Sequence, residues 1–263
     1  MISNKKLILH FDINGTITAI DSTESGTDRE NANMTIARSA FGKIIEDKWI
    51  INKDYTNNID SISYYDYLKK VDKTNYKIRS FLFTNDNEPG SSLKNLLEKV
   101  EPFMKKLLFE SFYQVLKEFP NALIIFRSFG KDIPDVLKEL NLNDGFEQTA
   151  IITIKYKDDS VILISSEGLI YKSFIEINKL FLSSKRHLAI QEDYSHWSNN
   201  KRSSKFGKTI LSDENLFQVF FDDNECVNII GENNCHFIKV NTLDALKNKN
   251  YFVEKIGLLN KLI

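Results

Sequence analysis

Three short apolar runs, each ending in a polar residue, constrain this sequence more than any other feature. The runs end at Asp12, at Ser128 and at Asp222–Asp223. An uninterrupted apolar run of this length is typical of a buried parallel strand, because helices cover both faces of such a strand. In open parallel sheets, ligands bind beyond the carboxyl ends of the strands. The three polar ends are therefore expected to meet at one site.

The segments between these runs have patterns typical of helices and turns. Amphipathic spacing predicts helices over 103–119, over about 132–142 and from 243 onward, and the apolar run 236–240 predicts a fourth core strand. Strands that alternate with helices form parallel sheets with right-handed crossovers. We therefore expect an α/β fold with a Rossmann-like, mostly parallel sheet and helices on both faces.

Two stretches do not fit the core pattern and are predicted to be insertions. The first, 22–105, has helical spacing over 31–45 and predicts a mainly helical cap. The second, at about 145–185, contains two alternating runs around a polar turn, which is typical of a β-hairpin. The remaining core, which carries the second insertion, would consist of 1–21 and 106–263.

The composition limits the partners that this chain is expected to bind. Its 35 basic residues balance 36 acidic ones among 263 residues, so no charge excess favours nucleic acid or an anionic membrane as a partner. No apolar stretch approaches the roughly 20 residues that cross a bilayer, and the run 7–11 is too short for a signal peptide. Two cysteines do not make a disulfide scaffold. We expect a cytoplasmic protein, with its oligomeric state and any signal-independent secretion left open.

The polar strand ends, in their order along the chain, resemble the four motifs of the haloacid dehalogenase superfamily, which consists mostly of phosphatases and phosphotransferases. FDINGT at 11–16 resembles the nucleophile motif, and Ser128 resembles the second motif. A lysine within 201–208 would supply the third motif, and FFDD at 220–223 resembles the acidic fourth. The resemblance covers the core strands, and it implies that the insertions select the substrate.

This resemblance implies chemical roles for the residues at the strand ends. The Asp12 carboxylate would attack phosphorus and form an aspartyl-phosphate, which divides one slow step into two faster ones. Ser128 would hydrogen-bond a phosphoryl oxygen, and Phe129 and Gly130 in the following turn would contact the substrate. A lysine would offset negative charge in the transition state and would also bind the substrate.

Three lysines compete for the third motif. Lys201, Lys205 and Lys208 all lie in the predicted interval. Lys208 is favoured, because Gly207–Lys208 opens the apolar segment that leads into the third strand. Members of the superfamily that this chain resembles carry Gly-Lys at this point, with an Asp-Tyr-x-x-Trp sequence upstream that is similar to 193–197 here.

Mg²⁺ is the cofactor that the resemblance implies. Asp12, the backbone carbonyl of Asn14, and Asp222 or Asp223 would hold the ion together with waters. Hard oxygen ligands of this kind are the ones that Mg²⁺ prefers. The ion would offset the repulsion between an anionic nucleophile and a phosphate.

Asn14 departs from the phosphatase pattern, in which an aspartate stands two residues after the nucleophile. An amide cannot donate or accept a proton at ordinary pH, and general acid–base catalysis contributes ~10²–10⁴ in rate. Two hypotheses therefore stay open. The first is Mg²⁺-dependent phosphoryl hydrolysis or transfer on a small phosphorylated molecule or phosphoresidue, with His196 or Asp193 as alternative proton carriers. The second is a catalytically weak or inactive module that binds phosphate and retains the metal site.

Overall fold

The structure is a computed structural model and describes residues 5–19, 26–53, 55–140, 146, 148–157, 160–231 and 234–260. The strands of this described part are β1 (Lys6–Asp12), β2 (Phe41–Ile45), β3 (Lys48–Ile51), β4 (Ile62–Ser63), β5 (Leu123–Ser128), β6 (Ala150–Lys157), β7 (Ser160–Ser165), β8 (Ile170–Tyr171), β9 (Leu188–Gln191), β10 (Lys208–Leu211), β11 (Leu216–Asp222), β12 (Val227–Ile230) and β13 (Cys235–Lys239). The α-helices are α1 (Asp28–Ser39), α2 (Tyr64–Val71), α3 (Tyr76–Phe81), α4 (Lys94–Val100), α5 (Glu110–Glu118), α6 (Ile133–Leu140), α7 (Phe174–Ser183), α8 (Tyr194–Asn199), α9 (Thr242–Lys247) and α10 (Tyr251–Asn260).

A central sheet of eight strands organises the fold, in the order β13–β11–β1–β5–β9–β6–β7–β8. The six strands from β13 to β6 run parallel, and β7 and β8 extend one edge in antiparallel fashion. The predicted α/β class with a mostly parallel, Rossmann-like sheet is therefore confirmed. Among the described residues, no helix is both long and apolar enough to cross a membrane.

Alternating side chains of the central strands serve two separate apolar layers. On β1, Leu9 and Phe11 join the layer that contains α1, α5, α6, α9 and α10, whereas Ile8 joins the layer covered by α7. Successive strand residues point to opposite faces, so a strand covered on both sides must be apolar throughout. This double coverage explains the uninterrupted apolar runs. The polar residues lie at the carboxyl ends of these strands.

The segment after β1 combines helices with a small sheet. It contains α1 to α4 and a three-stranded antiparallel sheet in the order β3–β2–β4. Its apolar side chains, including Met34, Ile36 and Trp49, belong to the same buried cluster as Phe11 of the central sheet. The segment therefore shares one continuous apolar core with the central sheet.

The predicted helix over 31–45 is wrong in its second half. Helix α1 ends at Ser39, Ala40 has an extended backbone, and β2 begins at Phe41. A tight turn follows, in which Glu46 and Asp47 both have positive φ, and it pairs β2 with β3. The chain therefore forms a pair of neighbouring strands here and does not continue the helix that the apolar spacing had indicated.

Two other differences concern the central sheet and its supporting helices. The polar segment 186–211, in which the sequence predicts no core strand, contains β9 in the middle of the sheet. The helix predicted over 103–119 begins only at Glu110, because Phe109 is extended and a 3₁₀ turn occupies Glu101–Lys105. The predicted hairpin is present, and β6 joins it to the central sheet by pairing with β9.

Candidate active site

The predicted polar strand ends meet at the carboxyl ends of the parallel strands in the central sheet. Strand β1 lies between β11 and β5, so the end of β1 at Asp12 lies beside the end of β11 at Asp222 and beside the end of β5, where Arg127 pairs with Asp12 and Ser128 follows. Asp222 is fully buried, and Asp12 and Ser128 are nearly so. The carboxyl ends of three adjacent parallel strands thus form the site that the apolar runs predicted.

Asp12, Asp222 and Asp223 form an acidic triad in which one carboxylate oxygen of each residue lies within 4.8 Å of the others. The backbone amide of Asp223 donates to Thr16 Oγ1 at 3.1 Å, which joins the loop after β1 to the loop after β11. Gly15 has a φ of +78°, and a Cβ atom there would come within 2.6 Å of Asp223 Oδ2. Glycine adopts this φ without strain, and the absence of a Cβ atom permits the close approach of Asp223.

The lysine at the triad is Lys208, at the start of β10. Its side chain is buried, and its ammonium group donates to Asp12 Oδ1 and to Asp222 Oδ2, the latter at 2.8 Å. Lys201 and Lys205, the competing candidates, are exposed. Burial alone would lower the Lys208 pKa, but the charges of Asp12 and Asp222 raise it well above its usual value. Lys208 is therefore the charged partner of the triad.

Asp222 is held in place by three hydrogen bonds. Besides Lys208, the backbone amide of Asn224 donates to Asp222 Oδ1 at 2.8 Å, and the Cys226 thiol donates to Oδ2 at 3.2 Å. Burial raises the pKa of the Cys226 thiol, so this group stays protonated and can donate. These contacts fix the orientation of a carboxylate that is completely shielded from water.

The triad's chemistry fits a hard divalent cation. Burial and the charges of Asp222 and Asp223 raise the pKa of Asp12, although Lys208 opposes them, and burial together with Asp222 raises the pKa of Asp223 to about 7. Three crowded carboxylates repel one another unless positive charge is added, and all of their ligand atoms are oxygens. Asp12, Asp222 and Asp223 are therefore suited to hold Mg²⁺, with Asn14 directly after β1 as the predicted carbonyl ligand.

Mg²⁺ affinity is expected to rise with pH. The raised pKa of Asp223 means that a proton occupies this carboxyl below about pH 7, and Mg²⁺ must displace it. The affinity should therefore fall as the pH drops through this range, by up to about tenfold per pH unit for each displaced proton. Calorimetric titration with Mg²⁺ across this range checks the prediction, with Asp223→Asn as a control that should bind more weakly and with a shallower pH dependence. An affinity independent of pH would contradict it.

Replacing Lys208 is expected to destabilise the fold. Lys208→Met leaves two buried carboxylates without their partner, which costs about 3–5 kcal/mol in the free energy of unfolding. The matched variant Lys205→Met removes an exposed charge and should change that free energy by less than about 0.5 kcal/mol. Urea denaturation of both variants, with and without Mg²⁺, measures the difference. Equal stability of the two variants would show that Lys208 does not support the triad.

Asn14 contacts a carboxylate that the sequence had not indicated. Its amide Nδ2 donates to Asp132 Oδ2 at 2.8 Å, and Thr18 Oγ1 donates to Asn14 Oδ1 at 3.3 Å. Asp132 is 4% exposed, and it is packed so closely on Gly130 that a Cβ atom there would lie 2.3 Å from its Oδ2. A buried carboxylate therefore lies beside the position that a phosphatase would occupy with its general acid.

The two alternative proton carriers have other roles in the structure. Asp193 caps α8 by accepting from the backbone amide of His196 at 3.1 Å, and it also accepts from the amide of Tyr156 at 3.2 Å. The His196 ring stacks on Tyr156 with their centroids 4.0 Å apart. Both side chains thus stabilise the junction of α8 with β6, whereas Asp132 contacts Asn14 directly.

The turn after β5 carries the predicted substrate contacts. Ser128 Oγ accepts from the backbone amide of Gly130 at 2.9 Å, which tightens this turn. Phe129 stacks on Trp197 with their centroids 4.5 Å apart, and the Lys208 ammonium lies 5.3 Å from the Phe129 centroid. The segment 193–197 thus forms the start of α8, and it contacts the lysine indirectly through Phe129.

Comparisons with known proteins add no assignment to this geometry. Neither protein-family models, nor curated proteins, nor solved structures give a significant match to the chain. The relation to the haloacid dehalogenase superfamily therefore remains a prediction that rests on the motif residues.

Proposed function

We propose that this protein is a Mg²⁺-dependent phosphohydrolase or phosphotransferase of the haloacid dehalogenase type. Its substrate would be a small phosphorylated molecule or a phosphoresidue, and Asp12 would carry the phosphoryl group. The observation that supports this most is the contact of Lys208 with both Asp12 and Asp222 at the carboxyl ends of adjacent strands. Such an arrangement combines a nucleophile, a charge-compensating cation and an acidic metal site.

The reaction would proceed in two displacements at phosphorus. In the first, an Asp12 oxygen forms a bond to phosphorus while the bond to the leaving oxygen breaks. In the second, water or another acceptor attacks the aspartyl-phosphate, and Asp12 is released as a carboxylate. Lys208 holds one oxygen of Asp12 and orients the carboxylate for attack. Mg²⁺, when bound, would offset the charge of the phosphoryl group.

The leaving oxygen must acquire a proton unless it departs as a stable anion. Asn14 cannot supply that proton, so aryl and acyl phosphates should react faster than alkyl phosphates. The neighbouring Asp132 carboxylate accepts a hydrogen bond from the Asn14 amide, and the pair together would occupy the position of the general acid.

A phosphate-binding module with little or no turnover is the second candidate, and Asn14 is the observation that favours it. In that case the triad and Lys208 would bind metal and phosphate without releasing product. Both candidates would bind metal and phosphate, but only the enzyme would release phosphate from a substrate.

Phosphate release from aryl, acyl and alkyl phosphates, with and without Mg²⁺, tests the proposal. We expect release that requires Mg²⁺ and is fastest for the aryl and acyl substrates. Mg²⁺-dependent phosphate binding without release from any substrate would favour the binding module. Release that is unaffected by chelation of divalent ions would contradict the metal-dependent mechanism.

A further inference from the structure

A cleft of about 620 Å³ opens beside the acidic triad. Asp223 of the triad and the neighbouring Asn14 line its wall, together with Phe41, Tyr65 and Tyr76 of the segment after β1. Cavities of this size hold small organic ligands. A substrate whose phosphoryl group lies at Asp12 would therefore extend into this cleft.

The cleft concentrates positive charge in a chain that has almost no net charge. Its wall carries five cationic side chains against the three carboxylates of Asp66, Asp223 and Glu225. The five cations come from distant parts of the sequence: Arg38, Lys69, Lys77, Arg202 and Lys239. The net charge of the whole protein is −1, so this local excess does not follow from composition. Such a cleft attracts anions.

Tyr65 holds two of these cations on its ring. The Arg38 guanidinium lies 4.6 Å and the Lys69 ammonium 4.5 Å from the ring centroid, and Arg38 also donates to the Tyr65 hydroxyl at 3.3 Å. Tyr65 itself is buried, so its ring provides a fixed support. Burial and the charges of Arg38 and Arg202 lower the pKa of Lys69, although Asp66 opposes them. These cations are close enough to repel one another, and an anion placed among them would relieve the repulsion.

We propose that this cleft binds a second phosphoryl group of the substrate, so that the protein acts on small molecules with two phosphoryl groups. The inference rests on the proposed function, which places the reacting group at Asp12. A guanidinium binds two phosphate oxygens at once, and an ammonium adds a compact charge, so Arg38 with Lys69 suits a phosphate better than a single carboxylate. Arg202, which lines the same cleft, would add a third cation to this group.

Non-hydrolysable alkane bisphosphonates of graded chain length, compared with monophosphonates of equal length, provide the probe. Calorimetry on the Mg²⁺-loaded wild type should show an optimum chain length at which the bisphosphonate binds at least about tenfold more tightly than its monophosphonate. In Arg38→Gln/Lys69→Gln and in Arg202→Gln, this advantage, taken as the ratio of the two affinities measured on the same variant, should shrink to about twofold or less. Lys43→Gln, which removes an exposed charge of β2 outside the cleft wall, should retain the full advantage.

Each remaining outcome overturns a defined part of the account. Equal affinity of both ligands in the wild type, with Mg²⁺-dependent binding of each, would overturn the second site and leave the proposed function standing. If Lys43→Gln lost the bisphosphonate advantage equally, the protein would attract anions through its overall charge and not through a specific site. If the bisphosphonate bound without Mg²⁺ and the monophosphonate did not bind at all, the proposed function would be wrong. The cleft would then be only an anion-binding site. Absence of binding by either ligand would overturn both.

Discussion

Asp12→Asn is expected to reduce Mg²⁺-dependent phosphate release by roughly 10⁴- to 10⁶-fold. The amide oxygen is a far weaker nucleophile than the carboxylate, so the covalent step is lost. The fold should persist, because Lys208 keeps its 2.8 Å hydrogen bond to Asp222 and one carboxylate leaves a crowded triad. Phosphate release, together with thermal unfolding of both proteins, measures the two effects separately.

Beryllofluoride and vanadate provide an independent check of this variant. They mimic a phosphoryl group on the carboxylate, so they should bind the wild type and not Asp12→Asn. Asp60→Asn is the matched control and should leave turnover unchanged. Asp60 is exposed, and it already has a positive φ, which asparagine tolerates. Full activity of Asp12→Asn on every wild-type substrate would show that the covalent mechanism is wrong.

Asn14→Asp is expected to raise alkyl phosphate turnover by up to ~10²–10⁴ while aryl phosphate turnover changes little. The new carboxyl would lie against Asp132, where the Asn14 amide now donates at 2.8 Å. Two carboxyl groups at that distance cannot both be ionised easily, so one of them keeps a proton at neutral pH. That proton is what an alkyl leaving group requires. Steady-state kinetics with both substrate classes measures the effect.

Asp132→Asn separates the alternatives that Asn14→Asp leaves. If the wild type already hydrolyses alkyl phosphates well and Asn14→Asp changes nothing, another group carries the proton, and Asp132→Asn should then lower alkyl turnover alone. Asp135→Asn, which changes an exposed aspartate three residues after Asp132, controls for the loss of a negative charge. If the protein is a binding module, neither Asn14→Asp nor Asp132→Asn should alter turnover.

The central sheet could be predicted from sequence wherever a strand is long and covered on both sides. Strands β1, β5 and β11 have six or seven residues each, which makes their apolar runs distinct from the surrounding pattern. Strand β9 has only four residues and lies in a polar segment, so its sequence did not distinguish it from a loop. Its burial depends on pairing with β5 and β6, which no local pattern encodes.

The triad could be predicted because Asp12 and Asp222 are the last residues of their strands and Asp223 follows directly. The contact between Asn14 and Asp132 could not, because 118 residues separate them and each alone is typical of a turn or a helix start. The basic cleft was equally hidden, since its cations are spread along most of the chain and each of them alone is typical of a solvated surface. Sequence patterns thus indicated the chemistry at Asp12, whereas contacts between distant segments define its surroundings.

Covalent trapping at Asp12 tests the central claim most directly. The protein would be incubated with Mg²⁺ and acetyl phosphate, quenched in acid and reduced with borohydride, which converts an aspartyl-phosphate to homoserine. Mass spectrometry of the digested chain should find homoserine at position 12, dependent on Mg²⁺ and missing from Asp12→Asn. Phosphate release by the wild type under these conditions without any modification at position 12 would contradict Asp12 as the carrier of the phosphoryl group.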